Sequence, residues 1–226
     1  MASHDSPSCA PVALADVVGK SVRLEIVLRL KRSEGLTVAQ LAEHFGMSYM
    51  AIKQPCADLE ARGYLERFRR PTVAGKSGRP GLLYRLSEAT LALFPKETAL
   101  SVDLLRSAES LFGATAPEKL LYLGFKRTED EERERLAGRS FAARLKAWTA
   151  WRDARGYFAE YRPTPEGGEI IEYHSPILDI LTRHPALIQR LEEQLFARVL
   201  QARVRRTMTR HGGHYRAVFT VGASLP

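Results

Sequence analysis

The stretch Leu41-Ala42-Glu43-His44-Phe45-Gly46-Met47-Ser48 constrains this chain more than any other. A short segment with helical periodicity, Val38 to His44, runs into a glycine, and a serine follows two residues later. Glycine supplies the left-handed backbone that a tight turn requires. Serine caps the helix that comes next, because its side-chain oxygen accepts from an amide of the first turn. The pattern predicts two helices crossing at close range. Ala42 is small because the crossing demands it, and Met47 is expected to plug the core behind the turn. Such a helix-turn-helix lets its second helix enter the major groove of DNA.

The flanking sequence extends this unit. Val22, Ile26, Val27 and Leu30 predict a helix over Val18–Arg32, closed by Gly35. Thr37 caps the short second helix. Ser48 opens a third that runs to about Arg62, with Ile52, Cys56 and Leu59 inward and Gly63 as its stop. Tyr64 to Arg70 alternates as a strand, Pro71 to Gly81 is a loop, and Leu82 to Leu86 returns. Three helices followed by a β-hairpin make a winged helix. Its outward residues on the third helix are Tyr49, Met50, Lys53 and Gln54. Lys53 suits guanine or phosphate, and Gln54 suits adenine. Thr37 and Ser48 sit at helix N-termini, where amides meet phosphate. The wing carries Arg67, Arg69, Arg70, Lys76, Arg79 and Arg85 with no acid among them. A formal net charge of +8 fits the same partner, double-stranded DNA. Pro55 breaks a local rule, since a proline costs about 3 kcal/mol inside an ordinary helix. Either the helix starts nearer Gln54 or it kinks.

The remainder predicts an α+β chain: an N-terminal winged helix-turn-helix, a helical linker and a C-terminal α+β sensor-like domain. The boundaries read as a disordered arm over 1–17, the winged helix over 18–95, a helical dimerisation region over 96–139 and the C-terminal domain over 140–226. Helix resumes near Ser87 and continues through Leu100, Leu104, Leu105 and Leu111, with a break at Pro95. Residues 117–155 read as helix. Their charge run, Lys126 to Arg135, reads as a solvated surface with Glu129–Arg133 and Glu131–Arg135 pairs. Strands follow over Tyr157–Tyr161 and Glu169–Tyr173, about a turn at Pro165–Gly168. Then come helices over Ile177–Arg183 and Leu187–Leu200, and strands over Val204–Thr209 and Tyr215–Val221. Trp148, Trp151, Tyr157, Phe158 and Tyr161 read as core rather than as a pocket lining.

Several function classes lose support here. The two cysteines, Cys9 and Cys56, make neither a disulfide framework nor a Cys-only metal site. No apolar run reaches the roughly 20 residues needed to span a bilayer, and no leader pattern opens the chain, so the expected location is the cytoplasm, away from membranes. His174, His211 and His214 are weak metal candidates whose spacing matches no ligand motif, so no metal and no cofactor are expected. His174, Ser175 and Asp179 lack a nucleophile elbow, so no catalytic residue is assigned.

The motifs "LAEHFGMS", "DLEARGYL", "GRPGLLYRLS" and "LFP", then "EYHSPILDIL", "HPALIQRLEEQLF", "VRRTM" and "GGHYRAVFTV", follow one another in a familiar order. In this the chain resembles ArsR-like winged-helix regulators related to SufR, the iron–sulfur-sensing repressor of cluster-assembly genes. The resemblance implies a homodimeric repressor or activator with a C-terminal sensor domain, and a repressor is expected. It also implies cluster cysteines near Ser175, Ile188 and Ala217, and none of these is cysteine. Iron–sulfur clusters require thiolates, or occasionally histidine. The expectation is a regulator that senses an unidentified signal without a Cys-ligated cluster. The alternative is a winged helix used as a protein-interaction module, its basic wing meeting an acidic partner.

Overall fold

The computed structural model describes residues 22–69, 82–94, 99–165, 167–211 and 214–224. The chain divides into two units: residues 1–94 with 211–214, and residues 95–210 with 215–226.

The N-terminal unit contains α1 (Val22–Lys31), α2 (Val38–Phe45) and α3 (Tyr49–Ala61). Strands β1 (Leu65–Arg69) and β2 (Leu82–Leu86) and the short α4 (Glu88–Leu91) follow. Residues three and four apart share a helix face, and each helix buries such a set. α1 buries Ile26, Val27 and Leu30, α2 buries Val38, Leu41 and Ala42, and α3 buries Ile52, Cys56 and Leu59. Full burial of each large side chain stabilises by about 1.5–3 kcal/mol. β1 and β2 are antiparallel, with Leu65 opposite Leu86 and Arg69 opposite Leu82. Leu36 adds a further rung, exchanging backbone hydrogen bonds of 3.0 and 2.8 Å with Tyr84. Gly35 makes that approach possible. Its φ is 117°, and a Cβ there would lie 2.5 Å from the Phe68 ring. α4 is tied back to the hairpin, since the Thr90 hydroxyl donates to the Tyr64 carbonyl at 2.8 Å.

The C-terminal unit opens with α5 (Ala99–Phe112), α6 (Ala116–Arg135) and α7 (Phe141–Arg152), then a π-helical turn over Asp153–Tyr157. Strands β3 (Ala159–Thr164) and β4 (Gly167–Glu172), helices α8 (Leu178–Arg183) and α9 (Pro185–Leu200), and strands β5 (Ala202–His211) and β6 (His214–Ser224) complete it. The sheet order is β3-β4-β6-β5, antiparallel between β3 and β4 and between β4 and β6. Trp148, Phe196, Phe219, Ile170 and Val199 form the core between helices and sheet. Phe196 stacks on Phe219 at 3.7 Å and Trp148 on Trp151 at 4.7 Å. The chain is therefore α+β.

Four sequence expectations change. The helix expected over 117–155 breaks at Gly138, which adopts φ 72°. α7 then restarts under Ser140, whose hydroxyl accepts the Ala143 amide. The strand expected from Tyr157 begins at Ala159, because Gly156 and Phe158 both adopt positive φ (84° and 53°) and Tyr157 is still in the preceding turn. The helix expected to run on from Ser87 is divided into α4 and α5, and the Pro95 break lies outside the described residues. The charge run on α6 is not wholly solvated. Glu129 and Glu132 are buried. Lys126 (2.8 Å) and Arg198 of α9 (3.2 Å) hold Glu129, and Arg135 bonds Glu132 rather than Glu131. The Glu129–Arg133 pair is present at 3.7 Å. Packing against α9 turns this side of α6 inward and supplies the counterion.

A chain of buried ions crosses the C-terminal core. Arg152 grips Glu172 through two bonds of 2.5 and 2.8 Å and reaches Glu192 at 3.1 Å. The other oxygen of Glu192 lies 2.8 Å from Arg206, which donates to the Tyr215 hydroxyl at 2.9 Å. The Arg152 guanidinium lies 3.3 Å over the Tyr157 ring. Burial pushes the Tyr157 hydroxyl up to about 12. Burial also raises the Glu172 carboxyl, and the Arg152 fork opposes that rise. Two positive and two negative side chains are thus removed from water as a balanced set.

Candidate nucleic-acid interface

Two caps and one glycine position the helix pair. Thr37 accepts the Gln40 amide at 3.2 Å, and the Gln40 side chain accepts the Thr37 amide at 2.9 Å, a reciprocal capping box. Gly46 closes α2 at φ 62°. A Cβ there would meet nothing within 4 Å, so glycine is required for its backbone alone. The Met47 amide donates to the Ala42 carbonyl at 2.9 Å. Ser48 accepts the Ala51 amide at 3.2 Å and starts α3. Ala42 is buried at the crossing, as expected. Met47 does not plug the core: it is 37% exposed. The chain leaves left-handed Gly46 bonded back to Ala42, and this leaves Met47 at the outer end of the turn.

Tyr49, Met50, Lys53 and Gln54 all lie exposed. Tyr49 and Lys53, and Met50 and Gln54, are four residues apart and form one surface opposite Ile52, Cys56 and Leu59. Pro55 lies within a helix that runs from Tyr49 to Ala61, so α3 does not begin near Gln54. Ala51 loses the backbone bond that residue 55 would otherwise make. Lys53 and Gln54 occupy the turn just before that gap. Cys56 is fully buried, and burial with Glu60 nearby pushes its thiol up to about 11.

Two ion pairs that sequence reading missed brace α3. Arg23 of α1 bonds Asp58 at 2.6 Å, and Glu60 pairs with Arg67 of β1. The second pair corrects the picture of a uniformly free basic wing. Arg67 is neutralised by Glu60. Arg85 is neutralised by Glu66 at 2.6 Å and lies 4.7 Å over the Phe68 ring. Both carboxylates lie just before the stretch that reads as all-basic. Arg69 is exposed and has no ion pair among the described residues. Arg70, Lys76 and Arg79 lie outside the described residues.

The other candidates fall in unlike surroundings. His174 is buried, its ring edge-on to Phe158 at 6.1 Å. His211 is exposed at the end of β5. His214 Nε2 lies 3.1 Å from the Leu86 carbonyl, and burial with Arg85 nearby lowers its pKa. Among the described residues no group of three or more His, Cys, Asp or Glu is placed to hold a metal ion. Ser175, Ile188 and Ala217 are fully buried. Ala217 faces Glu172 across the sheet, and Ile188 stands one turn before Glu192. Ala217 and Ile188 therefore border the ion chain, and none of the three positions offers a thiolate. Asp179 is exposed while His174 and Ser175 are buried.

Residues 22–75 match the MarR family model. That segment holds α1, α2, α3 and β1. A solved structure, RV1404 from Mycobacterium tuberculosis, is 18% identical over 69% of this chain and 84% of its own, with a TM-score of 0.30, too loose to bear on the fold. No protein of curated function matches the sequence. Among the described residues no helix is long and apolar enough to cross a membrane. The N-terminal unit carries a winged helix-turn-helix that is similar, over residues 22–75, to the MarR family of DNA-binding transcription regulators.

Proposed function

We propose that this chain is a dimeric transcriptional repressor that reads promoter DNA with its winged helix and receives a signal through its C-terminal unit. The observation that carries the reading is the exposed face of α3, with Tyr49, Met50, Lys53 and Gln54 side by side. The ion pairs at Asp58 and Glu60 tie α3 to α1 and β1, which helps to hold the reading face in place, as base readout demands. Base-edge contacts are assigned to Lys53 and Gln54. Thr37 and Ser48 serve as caps whose neighbouring amides approach phosphate. Arg69, Arg70, Lys76 and Arg79 are assigned to the DNA backbone, which supplies much of the affinity.

The dimer reading is supported by α5. Leu100 and Leu104 are exposed, and Leu111 and Phe112 are 74% and 78% exposed. Apolar side chains gathered in this way mark an interaction surface, and a second copy is the partner that a two-fold operator calls for. The half-sites would then lie about 34–36 Å apart. The motif order shared with SufR-related repressors supports repression. A Cys-ligated cluster is not part of the proposal, because Ser175, Ile188 and Ala217 supply no thiolate.

The test is fluorescence anisotropy of the full chain with duplex DNA from upstream of its own gene and with a scrambled duplex, across a salt series. Tight binding to the first and weaker, steeply salt-dependent binding to the second is expected. Lys53→Ala with Arg79→Ala should abolish the preference. Equal, weak binding to both duplexes would move the protein-interaction alternative forward.

A further inference from the structure

The C-terminal unit contains a groove to which the DNA-reading surface gives no role. It lies between α6 and α9 and has a volume of about 360 Å3. That is near the lower end of the range for small-molecule sites, roughly 300–1,000 Å3. Leu191, 4% exposed, and half-buried Leu187 contribute from α9. Tyr122 and Leu123 contribute from α6, and Leu123 is 60% exposed. The rim is charged and its charges do not cancel. Glu118 is neutralised by Arg190 at 2.5 Å. Lys119, also on the rim, has no ion pair among the described residues.

We infer that this groove binds a small amphipathic organic anion, its apolar body on Leu187, Leu191, Tyr122 and Leu123 and its carboxylate on Lys119. The class follows from three features. Each methylene removed from water on the apolar lining adds to the affinity. The single uncompensated charge is positive, so a carboxylate gains a charge-assisted hydrogen bond that an alcohol or an amine cannot match. The groove is also short. Beyond Tyr122 it narrows to a cleft of about 10 Å3, flanked by Lys126, Glu129 and Arg198. There Arg198 of α9 bonds Glu129 of α6 at 3.2 Å and closes the gap. A docked helix needs a longer channel, whereas a ten-carbon chain does not. That this anion is the signal of the repressor rests on the function proposed above; that it binds does not.

The test is isothermal titration of the full-length protein with decanoate below its micellar concentration, with no DNA present. Decanoate should bind saturably, one per chain, and decanol and decylammonium about tenfold or more weaker. Lys119→Glu should weaken decanoate about tenfold or more, a loss of about 1.4 kcal/mol. Leu123→Asp should abolish binding. Both positions are exposed, and unchanged circular dichroism would show that the variants fold. Absence of saturable binding to the parent protein would overturn the inference, as would binding that neither variant weakens. Conversion of a dimer to a monomer by Leu123→Asp, in a parent protein that ignores decanoate, would instead assign the groove to a second copy. The titration omits DNA, so failure of the repressor reading leaves its result intact.

Discussion

Lys31 offers a perturbation whose size can be worked out in advance. Its side chain is 5% exposed, and its ammonium lies 4.8 Å over the Phe94 ring. Burial lowers its pKa from 10.5 to about 7. One pKa unit corresponds to 1.36 kcal/mol, so that shift sets a ceiling of about 5 kcal/mol on the penalty for holding a charge there. The folded state binds fewer protons than the unfolded chain between about pH 7 and 10.5. Stability therefore climbs as pH rises through that window, and the penalty is complete below it. The cation–π contact and local relaxation return part of the ceiling, since such contacts contribute about 0.5–2 kcal/mol. Lys31→Met keeps the length of the stem and removes the charge. It should stabilise the N-terminal unit by about 2 kcal/mol at pH 6 and by progressively less toward pH 10. Urea unfolding followed by circular dichroism at a series of pH values reads this directly. Parallel pH curves for the two proteins, or a variant less stable than its parent at pH 6, would refute the reasoning.

Other outcomes are as specific. Gly46→Ala should cost about 1–2 kcal/mol in the same urea assay, because only backbone strain is introduced at φ 62°, and Gly46→Asn should cost less. Cys56 should resist iodoacetamide at pH 8 in the native protein and react once urea is added, since its thiol is buried and titrates at about 11. Arg152→Met strands Glu172 and part of Glu192 in the core and should destabilise the C-terminal unit by about 3–5 kcal/mol, seen as an earlier thermal transition.

What the sequence made legible was local. The caps Thr37 and Ser48, the turn at Gly46 and the inward set Ile52, Cys56 and Leu59 depend on spacings within a turn or two. The outward set Tyr49, Met50, Lys53 and Gln54 follows from the same periodicity. What escaped depends on neighbours brought by the fold. Arg67 and Arg85 read as free cations until hairpin register and helix packing set Glu66 and Glu60 beside them. Glu129 and Glu132 read as solvated because charge normally seeks water, and only a buried partner overrides that preference. The break at Gly138 was hidden in a stretch whose composition favours helix on both sides. The groove joins residues of α6 to residues of α9, and no short-range pattern links them.

The buried ion chain has a further consequence, for descent rather than for folding. Arg152, Glu172, Glu192 and Arg206 stand on four separate elements, α7, β4, α9 and β5, and each neutralises a neighbour in the set. A change at one leaves a buried charge unmatched. Relatives of this chain should accordingly keep all four residues or replace them together with an apolar filling. Four positions scattered over more than fifty residues would then be inherited as one character.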